Sequence, residues 1–169
     1  MTPLQIIGHA GCGKTTLIVE LTEQLITKGL RVGTIKHSAH THELDKPGKD
    51  SFLHRKAGAV PCAMMTADMT AIYLPRNENQ SPLDIIQQYY SNTDIVLIEG
   101  WISGPCNKIE VFRYSCNRKP LFHDMDHVKA IVTDQKLTSD DIAVAAKRNI
   151  NIFTRSDLTG IVNYIVSID

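Results

Sequence analysis

The residues best suited to chemistry lie in one short segment near the N-terminus, residues 8–15, which read Gly-His-Ala-Gly-Cys-Gly-Lys-Thr. They fit the Walker A pattern G-x-x-x-x-G-K-[ST] at every fixed position. Glycines let such a loop turn so that its backbone N–H groups point at phosphate oxygens, and the helix that follows adds its positive dipole end. We therefore expect Lys14 to reach the β- and γ-phosphates of a nucleoside triphosphate and the Thr15 hydroxyl to ligate Mg²⁺.

An acid at the end of a buried strand is the second part expected of such a site. Residues 95–98 are all β-branched or leucine, and Glu99 follows them directly. The run resembles a Walker B strand, although many such strands end in aspartate. At the C-terminal edge of the sheet, Glu99 would lie beside the phosphate loop and either hold Mg²⁺ through water or orient the attacking water. The alternative is an acid that only caps the strand end.

A polar loop is predicted after the second strand, and it contains His37, His40, His42 and Asp45. One interpretation makes this a loop that faces the nucleotide or substrate, with Asp45 holding Mg²⁺ through water. A second makes the three histidines a transition-metal site, since imidazole suits such ions. A third leaves the loop solvated. Lys36, just before the loop, either contacts phosphate or is an ordinary surface lysine.

Recognition of the base would need a further acid if the nucleotide is GTP, because guanine presents N1–H and N2–H donors. Asp134 follows a predicted strand in the better topological position, but it lacks the Asn-Lys-x-Asp motif. Residues 154–157 loosely resemble that motif one strand too late, and Asp157 equally fits an N-cap. The residues leave Asp134, Asp157 and neither as alternatives, and they do not separate GTP from ATP.

The elements that position these residues follow from hydrophobic period and turn residues. Strands are predicted at residues 4–7, 32–35, 62–66, 70–74, 95–98, 108–112, 128–132 and 150–153. One helix is predicted after the phosphate loop and ends at Lys28-Gly29; its apolar face consists of Leu17, Ile18, Leu21, Leu25 and Ile26. Four more helices are predicted at residues 51–57, 81–90, 139–148 and 158–168. The alternation predicts an α/β P-loop fold, a mostly parallel sheet wrapped by helices, with residues 62–74 as an inserted hairpin. Lacking repeats and linkers, residues 1–169 are expected to form a single nucleotide-binding domain.

Composition limits the partners. Eighteen Lys and Arg balance eighteen Asp and Glu, with a pI near 7.0, which argues against nucleic-acid binding and favours association. We expect no membrane partner and no signal peptide, because no apolar run approaches ~18 residues and the N-terminus lacks a basic region before an apolar one. The cysteines Cys12, Cys62, Cys106 and Cys116 show no close-pair spacing, so we expect reduced thiols and a cytoplasmic protein.

Several segments together resemble the MobB family of molybdopterin-guanine dinucleotide biosynthesis adapter proteins. They are residues 8–15, 32–37, 45–51, 57–59, 98–100 and 108–111. The Lys36-His37 pair and the Asp-Lys-Pro-Gly-Lys-Asp-Ser run of residues 45–51 are the specific part. The resemblance implies a homodimer that binds GTP and Mg²⁺ with weak hydrolysis. It also implies work beside a MobA-like guanylyltransferase that joins GMP to molybdopterin, with molybdopterin itself a further candidate ligand.

Motif and resemblance together give the expected site. The expected nucleotide contacts are Gly8, His9, Ala10, Gly11, Cys12, Gly13, Lys14, Thr15, Thr16, Lys36, His37 and Asp134. The expected metal ligands are Thr15, Asp45 and Glu99. Lys14 and Glu99 are the expected catalytic groups.

Two other functions of the same fold remain open. The loop histidines motivate a nickel metallochaperone GTPase, although the Cys-Pro-His motif expected there is absent. A small-molecule kinase would need an arginine-rich lid, and Arg76, Arg113 and Arg118 are scattered along the chain. We expect slow intrinsic hydrolysis, because Arg55 is the only arginine within residues 37–57 and fast phosphoryl transfer needs such a cation.

Overall fold

The computed structural model describes residues 1–114 and 118–168. The strands are β1 (Thr2–Ile7), β2 (Val32–Lys36), β3 (Cys62–Met65), β4 (Thr70–Tyr73), β5 (Ile95–Glu99), β6 (Asn107–Val111), β7 (Val128–Thr133) and β8 (Asn151–Thr154). The helices are α1 (Lys14–Thr27), α2 (Asp50–Lys56), α3 (Pro82–Tyr89), α4 (Ser139–Lys147) and α5 (Leu158–Ser167), with a 3-10 turn at Leu121–His123. The predicted elements are confirmed with small differences at their ends.

Six strands form one parallel sheet in the order β2-β5-β1-β6-β7-β8, and β3 pairs with β4 as a separate antiparallel hairpin. The chain thus places β2 and β5 on one side of β1 and β6, β7 and β8 on the other. In open α/β sheets a ligand crevice forms at the C-terminal ends of the strands where the order reverses in this way. The loop after β1 lies at that reversal.

Alternating side chains of β5 show why helices cover both faces of the sheet. Leu97 packs in a core with Leu21 of α1 and Ile161 of α5. Its neighbours Val96 and Ile98 point to the opposite face, where they pack with Ile86 of α3. Every residue of β5 is buried, as a central parallel strand requires.

The ends of α1 follow from its sequence. Gly11 and Gly13 adopt positive φ of 77° and 90° just before the helix, and Gly29 adopts 82° just after it. Lys28 is the C-cap residue, so the predicted stop at Lys28-Gly29 is confirmed. Ile26, however, is 55% exposed. Its assignment to the buried face is wrong, because the sheet and α5 cover only the side of α1 that carries Leu17, Leu21 and Leu25.

Within the described part of the chain, no helix is both long and apolar enough to cross a lipid bilayer.

Candidate functional site

The phosphate loop links β1 to α1 in a conformation that requires glycine. Gly8 has φ of 140°, and a Cβ built there would overlap the carbonyl oxygen of Val111. The Lys14 side chain folds back along the loop, and its Nζ donates to the carbonyl oxygens of Gly8 at 2.9 Å and His9 at 2.7 Å. Burial lowers the pKa of Lys14, while nearby Glu99 acts in the opposite direction. The Lys14 ammonium group is therefore held directly against the phosphate loop.

Thr15 and Glu99 meet at the C-terminal edge of the sheet. The Thr15 hydroxyl lies 3.0 and 3.1 Å from the two carboxylate oxygens of Glu99, and Lys36 Nζ contacts one of the same oxygens. Strand register explains the meeting, since Glu99 lies opposite Ile6 on β1 and Lys36 on β2. A hydroxyl and a carboxylate are ligand types that Mg²⁺ accepts. The chain thus joins two of the three predicted metal ligands.

A cavity of about 400 Å³ opens beside this pair. Thr15, Lys36 and Glu99 line its polar end, and Ile18 and Leu97 lie on its apolar wall. The groups suited to a metal and a phosphate therefore face open space.

The loop after β2 begins at this edge. His37 N donates to the Glu99 carbonyl oxygen at 3.0 Å, and burial lowers the pKa of His37. The rings of His40 and His42 lie 6.4 Å apart, centre to centre. Across the described residues, no group of three or more His, Cys, Asp or Glu side chains is arranged to hold a metal ion. The geometry gives the histidine metal site no support.

Asp45 belongs to a different cluster. Its Oδ1 accepts from the hydroxyls of Ser51 at 3.1 Å and Tyr73 at 3.3 Å, and its Oδ2 lies 3.4 Å from Arg55. Although burial favours the neutral acid, hydrogen bonds from Ser51, Lys46 and Arg55 lower the pKa of Asp45. These contacts join Asp45 to α2 and the hairpin, whereas Thr15 and Glu99 meet at the phosphate loop.

Two candidate base-reading acids differ in what they do. Asp157 is the N-cap of α5, and its Oδ1 accepts from Gly160 N at 2.9 Å. Asp134 follows β7, two strands from β1 in the sheet, and its Oδ2 lies 3.9 Å from Arg113 Nη2. Asp157 therefore has a capping role, and the role of Asp134 in reading the base stays a prediction.

Arg113 was named from the sequence only among scattered arginines and was not predicted as a site residue. Its Nη2 lies 3.4 Å from where a Cβ on Gly13 would be, so the guanidinium covers one side of the phosphate loop. Gly13 and Arg113 are far apart in the chain, and only the pairing of β6 with β1 brings them together. Without strand order, the sequence contains no signal for this contact.

Residues 119–122, which precede β7, are held by contacts with His9 of the phosphate loop and with Glu110. The His9 ring donates from Nε2 to the Lys119 carbonyl oxygen at 2.9 Å. Glu110, fully buried on β6, accepts from Leu121 N at 2.7 Å and Phe122 N at 2.8 Å. Burial raises the pKa of Glu110, and these two N–H groups oppose the rise. Glu110 was not predicted as a site residue, and it acts by holding this segment.

The cysteines fall into two groups. Cys62 and Cys106 are free thiols, as expected. Cys12 is disulfide-bonded, so the expectation of a reduced thiol is wrong for this residue of the phosphate loop. Cys116 lies outside the described residues.

The parallel sheet carries a glycine-rich loop at its order reversal, a helix that starts Lys-Thr, and a strand-end acid that faces the loop. Together these features define the P-loop NTPase fold. Comparison with known families then gives the particular group. The model for molybdopterin guanine dinucleotide synthesis protein B matches residues 3–134, and the chain belongs to this family.

Curated relatives agree with the family model. The chain is 36% identical over 139 residues to the molybdopterin-guanine dinucleotide biosynthesis adapter protein of Haemophilus influenzae, covering 81% of this chain and 77% of that protein. It is 33% identical over 168 residues to the Escherichia coli K12 protein of the same name, covering 96% and 90%. The crystal structure of Bacillus subtilis MobB superposes with a TM-score of 0.74 at 25% identity, covering 99% of this chain and 97% of that chain.

Proposed function

We propose that this chain is a GTP-binding adapter in molybdenum cofactor biosynthesis. It binds Mg²⁺–GTP at residues 8–15 and assists a guanylyltransferase that attaches GMP to molybdopterin. The observation that carries the proposal is the contact of the Thr15 hydroxyl with both carboxylate oxygens of Glu99, at 3.0 and 3.1 Å. The family of the chain supports the pathway, and the site supports the ligand.

The phosphate end follows from groups that converge on the loop. Lys14 supplies a cation at the loop mouth, and Thr15 supplies a hydroxyl for the metal. Glu99, at 8% exposure, supplies a carboxylate that reaches the metal through water or orients the attacking water. Lys36 forms an ion pair with Glu99, so its ammonium group partly neutralises the carboxylate. This set provides the cation, the hydroxyl and the carboxylate that a triphosphate and its metal require.

Weak hydrolysis follows from where the cations are held. Arg55, the arginine most able to act in cis from the loop region, is bound by Glu43 at 2.8 Å and Asp45 at 3.4 Å. Its guanidinium also lies 4.9 Å from the centre of the Tyr73 ring. A cation on the γ-phosphate is worth about 10³–10⁵ in rate. Within residues 37–57, all described by the structure, the one arginine is thus held away from the γ-phosphate, so the site holds a nucleotide more readily than it turns it over, which suits an adapter.

A homodimer is the second part of the proposal. Large apolar side chains are exposed along the hairpin and its turn: Met64, Met65, Met69, Ile72 and Leu74. Exposed large apolar side chains are typical of contact surfaces, and a two-stranded hairpin also offers unpaired edges. The balanced net charge opposes no such association. Sedimentation at micromolar concentration tests it, since a monomer mass contradicts the dimer and a mass of two chains supports it.

The nucleotide is tested by calorimetry on the purified chain. We expect stoichiometric binding of GTP in Mg²⁺, weaker binding after chelation by EDTA, and weaker binding of ATP. Adding the guanylyltransferase and molybdopterin tests the adapter role, since the chain should raise the yield of the guanylylated product only when GTP is present. Binding of neither nucleotide contradicts the proposal.

A further inference from the structure

The side of the phosphate loop opposite Glu99 contains a cation and an acid that the phosphate chemistry does not use. Glu99 lies on β5, on one side of β1 in the sheet, and β6 and β7 lie on the other. A nucleotide whose metal and phosphates are fixed at Thr15 and Glu99 extends its nucleoside away from β5, along the strand ends. The residues at the ends of β6 and β7 therefore face the sugar and base.

Arg113 and Asp134 are those residues. The Arg113 Nη2 atom lies 3.4 Å from the Cβ position of Gly13 and 3.9 Å from Asp134 Oδ2. One guanidinium thus spans the gap between the phosphate loop and the acid. Both side chains are partly open to solvent, at 40% and 51% exposure, so a ligand reaches them without rearrangement of the core.

The backbone holds these two residues opposite each other. Phe112, fully buried, donates from its N to the Val132 carbonyl oxygen at 3.0 Å. Tyr114 N donates to the Gln135 side-chain oxygen. Arg113 and Asp134 lie between these two ties, so their separation is set by the sheet. Such support is what a specificity residue needs to keep a fixed geometry.

The chemistry of the pair fits guanine. A carboxylate is an acceptor for two adjacent donors, and the guanine edge presents N1–H and N2–H. At 3.9 Å, Arg113 attracts Asp134 electrostatically but leaves its oxygens free of a direct hydrogen bond, so they can still accept from a base. A guanidinium plane also stacks well on aromatic rings.

We propose that Arg113 is a specificity-determining positioning residue for a guanine nucleotide. It packs against the purine and keeps the Asp134 carboxylate aimed at N1–H and N2–H. The inference rests on the proposed GTP site and adds the residue through which the base is read. Arg113 acts through Asp134, whereas a phosphate ligand would act alone.

The test measures binding of GTP, ITP and ATP to the full chain and to Arg113→Ala, Arg113→Lys, Asp134→Ala and the Arg113→Ala/Asp134→Ala pair. ITP differs from GTP only in lacking the 2-amino group. We expect the parent to prefer GTP over ITP by about ten-fold or more, as loss of one hydrogen bond to a charged group predicts. Arg113→Ala should reduce that ratio several-fold, with a smaller loss of affinity for ITP than for GTP, because ITP has no 2-amino group for Asp134 to bind. Arg113→Lys should recover only part of the ratio, because a flexible ammonium lacks the rigid planar guanidinium that holds the carboxylate in one orientation.

The double variant separates positioning from direct contact. With Asp134 already replaced by Ala, removal of Arg113 should change the GTP to ITP ratio no further. Arg118→Ala is the matched control, an exposed arginine on the same connection, and it should leave the ratio unchanged.

Two results overturn the inference, and they differ from failure of the GTP site. An equal loss of GTP, ITP and ATP affinity in Arg113→Ala, largely recovered by Arg113→Lys, identifies a phosphate ligand. An unchanged ratio in Arg113→Ala, with a parent that prefers GTP, leaves the proposed function intact and removes Arg113 from it. A parent without any preference for GTP contradicts the proposed function and the inference together.

Discussion

Two clusters in this molecule combine a carboxylate with hydroxyl and cationic side chains, and they serve different ends. At the sheet edge, Glu99 meets Thr15 and Lys36. Under the hairpin, Asp45 meets Ser51, Tyr73 and Arg55. The residue types are nearly the same, so chemistry alone does not distinguish a ligand site from a structural tie.

The difference lies in what surrounds each acid. Glu99 borders a cavity of about 400 Å³ and lies beside the phosphate loop, where the N-terminal end of α1 favours anions. Asp45 has both oxygens used by groups of its own chain, including Lys46 N at 2.8 Å. Both acids accept from groups of their own chain, but Glu99 also lines the cavity beside the phosphate loop and is open to a ligand. Asp45 instead joins the loop after β2 to α2 and the hairpin, which stabilises the fold. The contacts of Asp45 therefore indicate a structural role, and its expected role in holding Mg²⁺ stays a prediction.

The largest expected effect comes from Glu99→Gln. The change keeps the shape of the side chain but removes its charge, so we expect GTP hydrolysis to slow by about 10²-fold and GTP affinity to fall less than about ten-fold. Single-turnover hydrolysis and calorimetry measure the two quantities. Glu23→Gln, an exposed residue on the same cavity wall, is the control. Unchanged turnover in Glu99→Gln would remove Glu99 from the mechanism.

Asp45→Asn should lower the stability of the fold and leave nucleotide binding nearly unchanged. Loss of the buried charge weakens the hydrogen bonds from Ser51 and Arg55, so we expect a loss of about 1–3 kcal/mol in the free energy of unfolding. Binding of Mg²⁺–GTP should stay within about two-fold of the parent. Urea unfolding and calorimetry, with Glu78→Gln as an exposed control, give both numbers. If nucleotide affinity falls while stability holds, Asp45 is a metal ligand and the comparison fails.

Asp141 is a third acid whose contacts stabilise the fold. Burial opposes its ionisation, but hydrogen bonds from Thr138, Tyr114 and His123 outweigh burial and bring the pKa of Asp141 to about 2, from 3.8. A carboxyl group whose pKa is lower in the folded state stabilises the fold at any pH above its unfolded pKa. That contribution is lost as the pH falls through the folded pKa. Asp141→Asn should therefore cost about 2 kcal/mol at pH 7.

The pH dependence checks the sign of this effect. The difference in unfolding free energy between the parent and Asp141→Asn should shrink as pH falls from about 4 towards 2. Urea unfolding across that range measures it, with the exposed neighbour Asp140→Asn as control. A difference that is independent of pH would show that the charge of Asp141 contributes nothing.

The smallest effect is expected at Asp157. Removal of an N-cap costs about 1 kcal/mol, so Asp157→Ala should lower thermal stability slightly and leave the preference for GTP over ATP unchanged. Thermal unfolding and calorimetry on the same sample decide. Loss of the preference would move base recognition from Asp134 to Asp157.

The features that the sequence could predict are those that depend on short-range spacing along the chain. Residues 8–15 are contiguous, and strand β5 is a continuous apolar run, so the loop, the strand and the meeting of Thr15 with Glu99 could be predicted from local pattern. The mostly parallel sheet and hairpin followed from the alternation of elements. These features depend on short-range spacing and on the rule that parallel strands end at one edge.

The remaining features depend on which elements become neighbours. The contact of Arg113 with Gly13 needs β6 beside β1, and the Asp45 cluster needs α2 and β4 to meet the loop after β2. Ile26 fits the helical period but lies beyond the surface that the core covers. Helical period and strand pattern describe single elements, and they do not specify these long-range contacts.

The central claim, that residues 8–15 bind the triphosphate, is tested most directly by Mg²⁺–GTP calorimetry on Lys14→Ala. Lys28→Ala, an exposed lysine at the other end of the same helix, is the control. We expect Lys14→Ala to lose about 100-fold or more in affinity, since charge-assisted bonds to two phosphates are removed, with the parent's circular dichroism spectrum retained. Lys28→Ala should bind as the parent does. A folded Lys14→Ala variant that binds GTP as tightly as the parent would contradict the account.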